Sequence, residues 1–212
     1  MAEHARPARY ASEWFDQFVG DVDPALRTQL AHDTADALLT RVRESESSAE
    51  TEQVLLRLQA LAREDGIDSV AELWSQARAH TLPGALWRVH LVHTMVVQRA
   101  DETARLFALG AESLQTSAPV IAGAAPPTGP EQIRDLSNAI LRGVFTGDFA
   151  MALERAAAFC RVVAAGSVET ADETDALSDE RASALTRKAS RLAAIAVDLE
   201  RCAVLWRADA LV

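Results

Sequence analysis

Apolar residues recur along most of the chain at intervals of three and four positions, which is the spacing of one face of an α-helix. No segment shows the strict alternation of apolar and polar residues that is typical of a half-buried strand. We therefore predict an all-α protein, a multihelical array of short antiparallel helices that ends in a long C-terminal helix.

Capping residues and prolines predict where several of these helices begin. Asp23 and Pro24 supply an N-cap and a first-turn proline for an early helix. Pro83 is acceptable in the first turn of a later helix, because proline lacks only an N–H that has no partner in that turn. Asp148 and Ser178 are the predicted N-caps of the last two helices.

Glycines predict where helices end. Gly66, Gly110 and Gly166 each follow a segment with helical apolar spacing, and glycine is common just past the last helical residue. We therefore predict helix ends at all three positions. Residues 167–177 are acidic and weakly patterned, which is typical of a solvated connection.

The domain organisation follows from one strong interruption of the helical pattern. Residues 117–130, SAPVIAGAAPPTGP, contain four prolines and predict a hinge, a lid or a plain connection. We expect residues 1–166 to form the main helical domain, and residues 167–212 to form an acidic linker and a long helix.

The final helix carries a heptad spacing of large apolar residues. Leu185, Leu192, Leu199 and Trp206 recur every seven positions. Such a helix either braces the bundle of its own chain or pairs with a second chain. We expect the exposed parts of this seam to form an interface, most simply in a homodimer.

Charge and cysteine content limit the class of partner. The chain of 212 residues has 31 acidic and 21 basic side chains, and its formal net charge is −10. An acidic surface repels phosphate backbones, so we expect no nucleic-acid binding.

The two cysteines do not make a disulfide framework, and no run approaches the roughly 18 apolar residues of a membrane span. The start of the chain lacks the apolar core of a signal peptide. We expect a cytoplasmic protein without a membrane partner.

Candidate chemistry is concentrated in residues 85–95, ALWRVHLVHTM, which place Trp87, Arg88, His90 and His93 in an apolar run. His90 and His93 are three positions apart, so both imidazoles could approach one metal ion from the same side of a helix. The alternative is a pair of histidines hydrogen-bonded at the edge of the core. Neither HExxH nor paired ExxH motifs accompany them, and we expect no metal and no cofactor.

Arg88 has three possible roles, because an arginine in so apolar a helix must reach solvent or meet an anion. Its side chain could extend to solvent, or it could pair with Asp148, Glu154 or another acid. An unpaired guanidinium in a groove would instead bind the carboxylate or phosphate of a ligand.

No recognisable nucleophile motif occurs in the chain, which has no GxSxG elbow, no CxxC and no phosphate-binding glycine loop. Cys160 and Cys202 each lie on the predicted inward face of a helix, which indicates packing rather than reactivity.

We expect a non-enzymatic protein-interaction or adaptor protein that self-associates. The alternative is a small-ligand or metal-binding helical protein, or an enzyme, with a pocket around Arg88, His90 and His93.

Two segments carry a resemblance to a known group of proteins. LPGALWRVHLVHT (82–94) and RGVFTGDFAMALERAAAFCRVVAAG (142–166) resemble a family of uncharacterised helical proteins from GC-rich Gram-positive, actinobacterial species. The preference for arginine over lysine and the abundance of alanine agree with a GC-rich genome. The resemblance implies a helical fold and carries no established activity or site residues.

Overall fold

The computed structural model describes residues 23–43, 73–114, 129–175 and 178–212. These ranges contain six helices of 14 or more residues. The helices are α1 (Pro24–Arg43), α2 (Leu82–Gln98), α3 (Ala100–Ser113), α4 (Pro130–Thr146), α5 (Phe149–Asp175) and α6 (Asp179–Arg207). The described ranges contain no strand, and α6 is 29 residues long. The all-α prediction and the long C-terminal helix are confirmed.

The predicted helix starts are confirmed by their capping bonds. The Asp23 carboxylate accepts a 2.9 Å hydrogen bond from the Ala25 amide at the start of α1. Asp148 accepts a 3.1 Å bond from the amide of Met151 in the first turn of α5. The Ser178 hydroxyl accepts from a first-turn amide of α6. Each cap satisfies a backbone donor that has no partner inside its helix.

Helix α5 lies at the centre of the bundle, in contact with α2, α3, α4 and α6. The predicted stripe of α5 is fully buried, and so are the neighbouring Phe159 and Val162. The members of that stripe are Phe149, Leu153, Ala156, Cys160 and Val163. The rings of Phe107 and Phe159 are 5.4 Å apart and join α3 to α5. A helix that is apolar on nearly every side is expected at the core of a bundle.

Gly110 and Gly166 do not end their helices, so the predicted ends at these residues are wrong. Helix α3 continues to Ser113 and helix α5 to Asp175. A Cβ atom at Gly166 would lie 1.8 Å from the Leu106 carbonyl oxygen, so glycine is needed here for close packing of two helices. Residues 167–175 therefore extend α5, whereas the sequence indicated a connection. Gly66 lies outside the described residues.

The heptad seam of α6 packs against α5 of the same chain. Leu192 and Leu199 are 4% and 0% exposed, whereas Leu185 is half-buried. The half-buried Trp206 ring lies 4.5 Å from the ring of Phe149 at the start of α5. The long helix therefore braces its own bundle, and the central leucines of the predicted interface are already covered by the chain itself.

Some expectations fall outside these ranges. The predicted hinge at 117–130 lies outside the described residues except for Gly129 and Pro130. Among the residues that are described, no helix is both long enough and apolar enough to cross a bilayer.

Candidate functional site

Helix α2 carries the candidate site, and its start is fixed by tight local packing. The Thr81 hydroxyl accepts a hydrogen bond from the Gly84 amide, and proline occupies the first turn. A Cβ atom at Gly84 would lie 2.0 Å from the Arg78 carbonyl oxygen, so the preceding chain passes directly over this turn. The inward face of α2 consists of Leu86, Val89, Val92 and Val96, all nearly fully buried. This burial leaves the polar residues of α2 on its two flanks.

Arg88 lies on one flank of α2 and forms an ion pair with Asp198 of α6. Its Nε atom donates to Asp198 Oδ2 at 2.8 Å, and its Nη1 atom donates to the Gly84 carbonyl at 2.9 Å. The side chains of Arg88 and Asp198 are only 17% and 25% exposed. Of the three roles open to Arg88, the structure shows pairing with an acid, but the acid is neither Asp148 nor Glu154.

Asp198 also joins this flank to the chain that precedes α2. His80 Nε2 lies 3.1 Å from the second carboxylate oxygen of Asp198. One turn further along α6, the Cys202 thiol donates to the Ala79 carbonyl at 3.4 Å. The resulting network connects α6 to the start of α2, and its carboxylate holds two cationic or polar partners at once.

Both cysteines are buried, as the sequence predicted. Burial raises the pKa of the Cys160 thiol to about 12. Burial likewise raises the pKa of the Cys202 thiol to about 11, although Arg88 opposes the shift. Because the thiolate is the nucleophilic form, both thiols are inert near neutral pH.

Trp87, His90 and His93 lie on the flank of α2 that turns away from Arg88. The rings of Trp87 and His90 are stacked with centroids 5.6 Å apart. His93 Nδ1 lies 3.1 Å from the hydroxyl of Ser137 in α4, and Ser137 is buried. Burial lowers the pKa of His93, and the nearby His90 lowers it further. The fold therefore favours the neutral form of His93, whose ring lies at the edge of the core.

The structure brings the two histidines together but places Arg88 on the opposite side of the helix. Residues two positions apart on an α-helix project about 200° from each other, because a turn contains about 3.6 residues. Arg88 accordingly contacts α6, whereas His93 contacts α4. The described residues contain no group of three or more His, Cys, Asp or Glu side chains arranged to hold a metal ion.

A second candidate surface lies on α6 and was not singled out by sequence reasoning. We call it the outer face of α6 and define it by Arg187, Arg191, Val197, Arg201 and Val204, all exposed. Val197 and Val204 are 57% and 53% exposed. No acid in the described ranges forms an ion pair with any of these arginines, whereas Lys188 of the same helix is paired with Glu102 at 2.7 Å.

The signal for this surface was present in the heptad spacing. Once the seam at Leu192 and Leu199 is assigned to the core, the opposite side of the helix is fixed by its 3.6-residue period. That side carries valines among arginines, which is a more apolar pattern than a purely solvated face requires.

The fold is an all-α helical bundle whose long final helix packs against the core. Comparison with protein-family models, curated proteins and solved structures finds no match to this chain.

Proposed function

We propose that this chain is a non-enzymatic protein-interaction protein whose docking surface is the outer face of α6. One observation carries the proposal: Val197 and Val204 are more than half exposed beside arginines that no described acid neutralises. The other side of the same helix is already committed to the core. The inner side of α6 is thus packed against the bundle, while its outer side exposes apolar and cationic groups.

The composition of the outer face suits a protein partner. Covering apolar surface is worth about 25 cal/mol per Å² removed from water, so exposed valines favour association. Arginine is enriched at protein interfaces, whereas lysine is depleted there. A surface for single-stranded nucleic acid would be expected to combine cationic groups with aromatic side chains that stack on bases, and none of the residues that define the outer face is aromatic. Val197 lies between Arg191 and Arg201 along the helix.

The charged, imidazole and thiol side chains that could serve in catalysis instead make contacts within the fold, which also supports the proposal. Arg88 is neutralised by Asp198. His93 contacts the buried Ser137 hydroxyl. The thiols of Cys160 and Cys202 are protonated at neutral pH because burial raises their pKa. These groups stabilise helix packing rather than facing a substrate.

Site-specific photocrosslinking tests the docking surface. A photoreactive amino acid replaces Val197 or Val204 in cells that naturally make the protein, and Leu30 of α1, which is 50% exposed, serves as the matched control position. We expect protein adducts from both α6 positions and none from position 30. Mass spectrometry of the adducts identifies the crosslinked chain. If positions 197 and 204 yield no protein adduct, or no more than position 30 yields, the proposal is wrong.

A further inference from the structure

Resting on the proposed function, we propose that the outer face of α6 binds a second copy of this chain, and that it contacts the acidic end of that copy. We define the acidic end by the exposed Asp172 and Glu173 at the end of α5 and the exposed Asp179 and Glu180 at the start of α6. In the described part of this segment the one base is Arg181, which is exposed. The two surfaces thus have opposite charge.

The overall charge of the chain favours this partner. The formal net charge is −10, so the outer face is a cationic surface on an acidic molecule. Complementary potentials steer two such surfaces together and disfavour other orientations. The acids of the acidic end form no ion pair in the described ranges, and they remain available to a second molecule.

A symmetric pairing of two outer faces is disfavoured by the same charges. In a two-fold interface each residue contacts the equivalent surface of the other copy. Two antiparallel α6 helices that cross near the middle of the outer face would bring Arg191 of each copy against Arg201 of the other. Like charges placed together disfavour such an interface. An asymmetric contact, outer face against acidic end, avoids this repulsion.

The two surfaces are of comparable size. Arg191 and Arg201 are ten residues apart, which is about 15 Å along a helix. The acidic end spans two packed helices, whose axes are typically about 8–10 Å apart. Flexible acidic side chains on the two helices can therefore reach Arg191 and Arg201. Val197, which lies between these two arginines, becomes covered.

Pairing within one chain does not satisfy these charges. Glu180 and Arg187 are seven positions apart, about 10 Å along the helix, and no ion pair joins them. The two surfaces lie at different places on the molecule. A pair of chains joined in this way therefore still has one free outer face and one free acidic end. Such head-to-tail contacts produce either closed rings or open chains, and in both cases the mass rises with concentration.

Complementary variants test this arrangement by sedimentation velocity. The face variant combines Arg187→Glu, Arg191→Glu and Arg201→Glu, and the end variant combines Asp172→Asn, Glu173→Gln, Asp179→Asn and Glu180→Gln. All seven side chains are exposed, so both variants should fold, as circular dichroism and thermal melting will show. The control variant carries lysine at the three arginine positions and keeps the charge.

We expect the parent chain and the lysine control to increase in mass with concentration. Each variant alone should associate at least about tenfold more weakly, because it lacks one of the two complementary surfaces. An equimolar mixture of the two variants should form a complex of two chains and nothing larger, since only one functional surface of each kind remains.

A parent chain that stays monomeric at every concentration overturns the inference, and so does a mixture that forms no two-chain complex. These failures differ from failure of the proposed function. A monomeric chain that still crosslinks through Val197 to another protein in cells retains the docking surface and loses only the self-partner. Absence of any crosslink contradicts the docking surface itself.

Discussion

Gly110 of α3 and Gly166 of α5 face each other where the two helices pack backbone against backbone. A Cβ atom at Gly110 would lie 1.8 Å from the Val162 carbonyl oxygen, and one at Gly166 would lie 1.8 Å from the Leu106 carbonyl oxygen. Neither obstacle is a side chain that could rotate away. The distance between α3 and α5 is therefore set by the absence of side chains at these two positions.

We predict that Gly110→Ala and Gly166→Ala each lower the free energy of unfolding by about 3 kcal/mol, because the helices must separate to admit a methyl group. Urea denaturation followed by circular dichroism measures the change. The control is Gly143→Ala in α4, where the new Cβ would meet only the Ala152 Cβ at 3.3 Å. Equal effects at all three positions would mean that the close contact does not limit stability.

The glycine pair shows where sequence reasoning succeeds and where it stops. The apolar stripe of α5 and the caps at Asp148 and Ser178 were predictable, since both depend on residues near in sequence. Glycine, however, serves both to end helices and to let helices touch. Choosing between these uses at Gly166 requires knowing that Leu106 lies opposite, which local spacing does not reveal.

The pairing of Arg88 with Asp198 yields a second prediction. Arg88→Met leaves the largely buried Asp198 carboxylate with a weaker set of partners, and should lower the free energy of unfolding by about 2 kcal/mol. Replacing both residues, as in Arg88→Met with Asp198→Leu, should recover much of that loss. Chemical denaturation of the single and double variants gives the coupling. Arg207→Ala, which breaks an exposed pair with Glu154, should have a much smaller effect. Additive single effects would contradict a direct pairing.

The candidate site could be predicted only in part, for a related reason. The sequence indicated that Arg88 needs solvent or an anion, and an acid in contact was one of the alternatives. Its partner Asp198 is 110 positions away, and nothing in local spacing connects the two. Asp148 and Glu154 have other roles, since Asp148 caps α5 and Glu154 pairs with Arg207. The packing of the helices determines which charged side chains come into contact, and the local spacing of residues in one sequence does not reveal that packing.

Thr103 provides a test of polar burial. Its hydroxyl is fully buried in α3 and has no hydrogen-bond partner in the part of the chain that the structure describes. Valine has nearly the same shape without the hydroxyl. We expect Thr103→Val to raise the free energy of unfolding by about 1 kcal/mol, measured by urea denaturation. Thr103→Ala should lower stability, because it also removes a buried methyl group. A destabilised valine variant would indicate that the hydroxyl has a partner.

His93 predicts a pH dependence of stability. Its pKa is lowered in the fold, first by burial and then by His90, so the unfolded chain binds a proton more readily. Stability from the neutral imidazole is therefore fully present above the unfolded pKa of about 6.5 and is lost as pH falls through the lower folded value. Unfolding free energies at pH 7.5 and pH 5.5 should differ less in His93→Gln than in the parent chain. The carboxylates Glu102 and Glu154, whose pKa values are also lowered, act in a more acidic range. An unchanged pH difference in His93→Gln would show that His93 is not the titrating group.

Thiol labelling of α6 tests the central claim most directly, because it reports both sides of the helix in one experiment. Cys160 and Cys202 are buried and give a low background in the folded chain. A cysteine introduced at Val197 should react rapidly with a thiol reagent in dilute protein and become protected as concentration rises. A cysteine at Leu192, on the inward seam, should stay unreactive at both concentrations. Rapid labelling at position 192 that is lost on association, together with constant labelling at position 197, would contradict the assignment of the inner and outer faces.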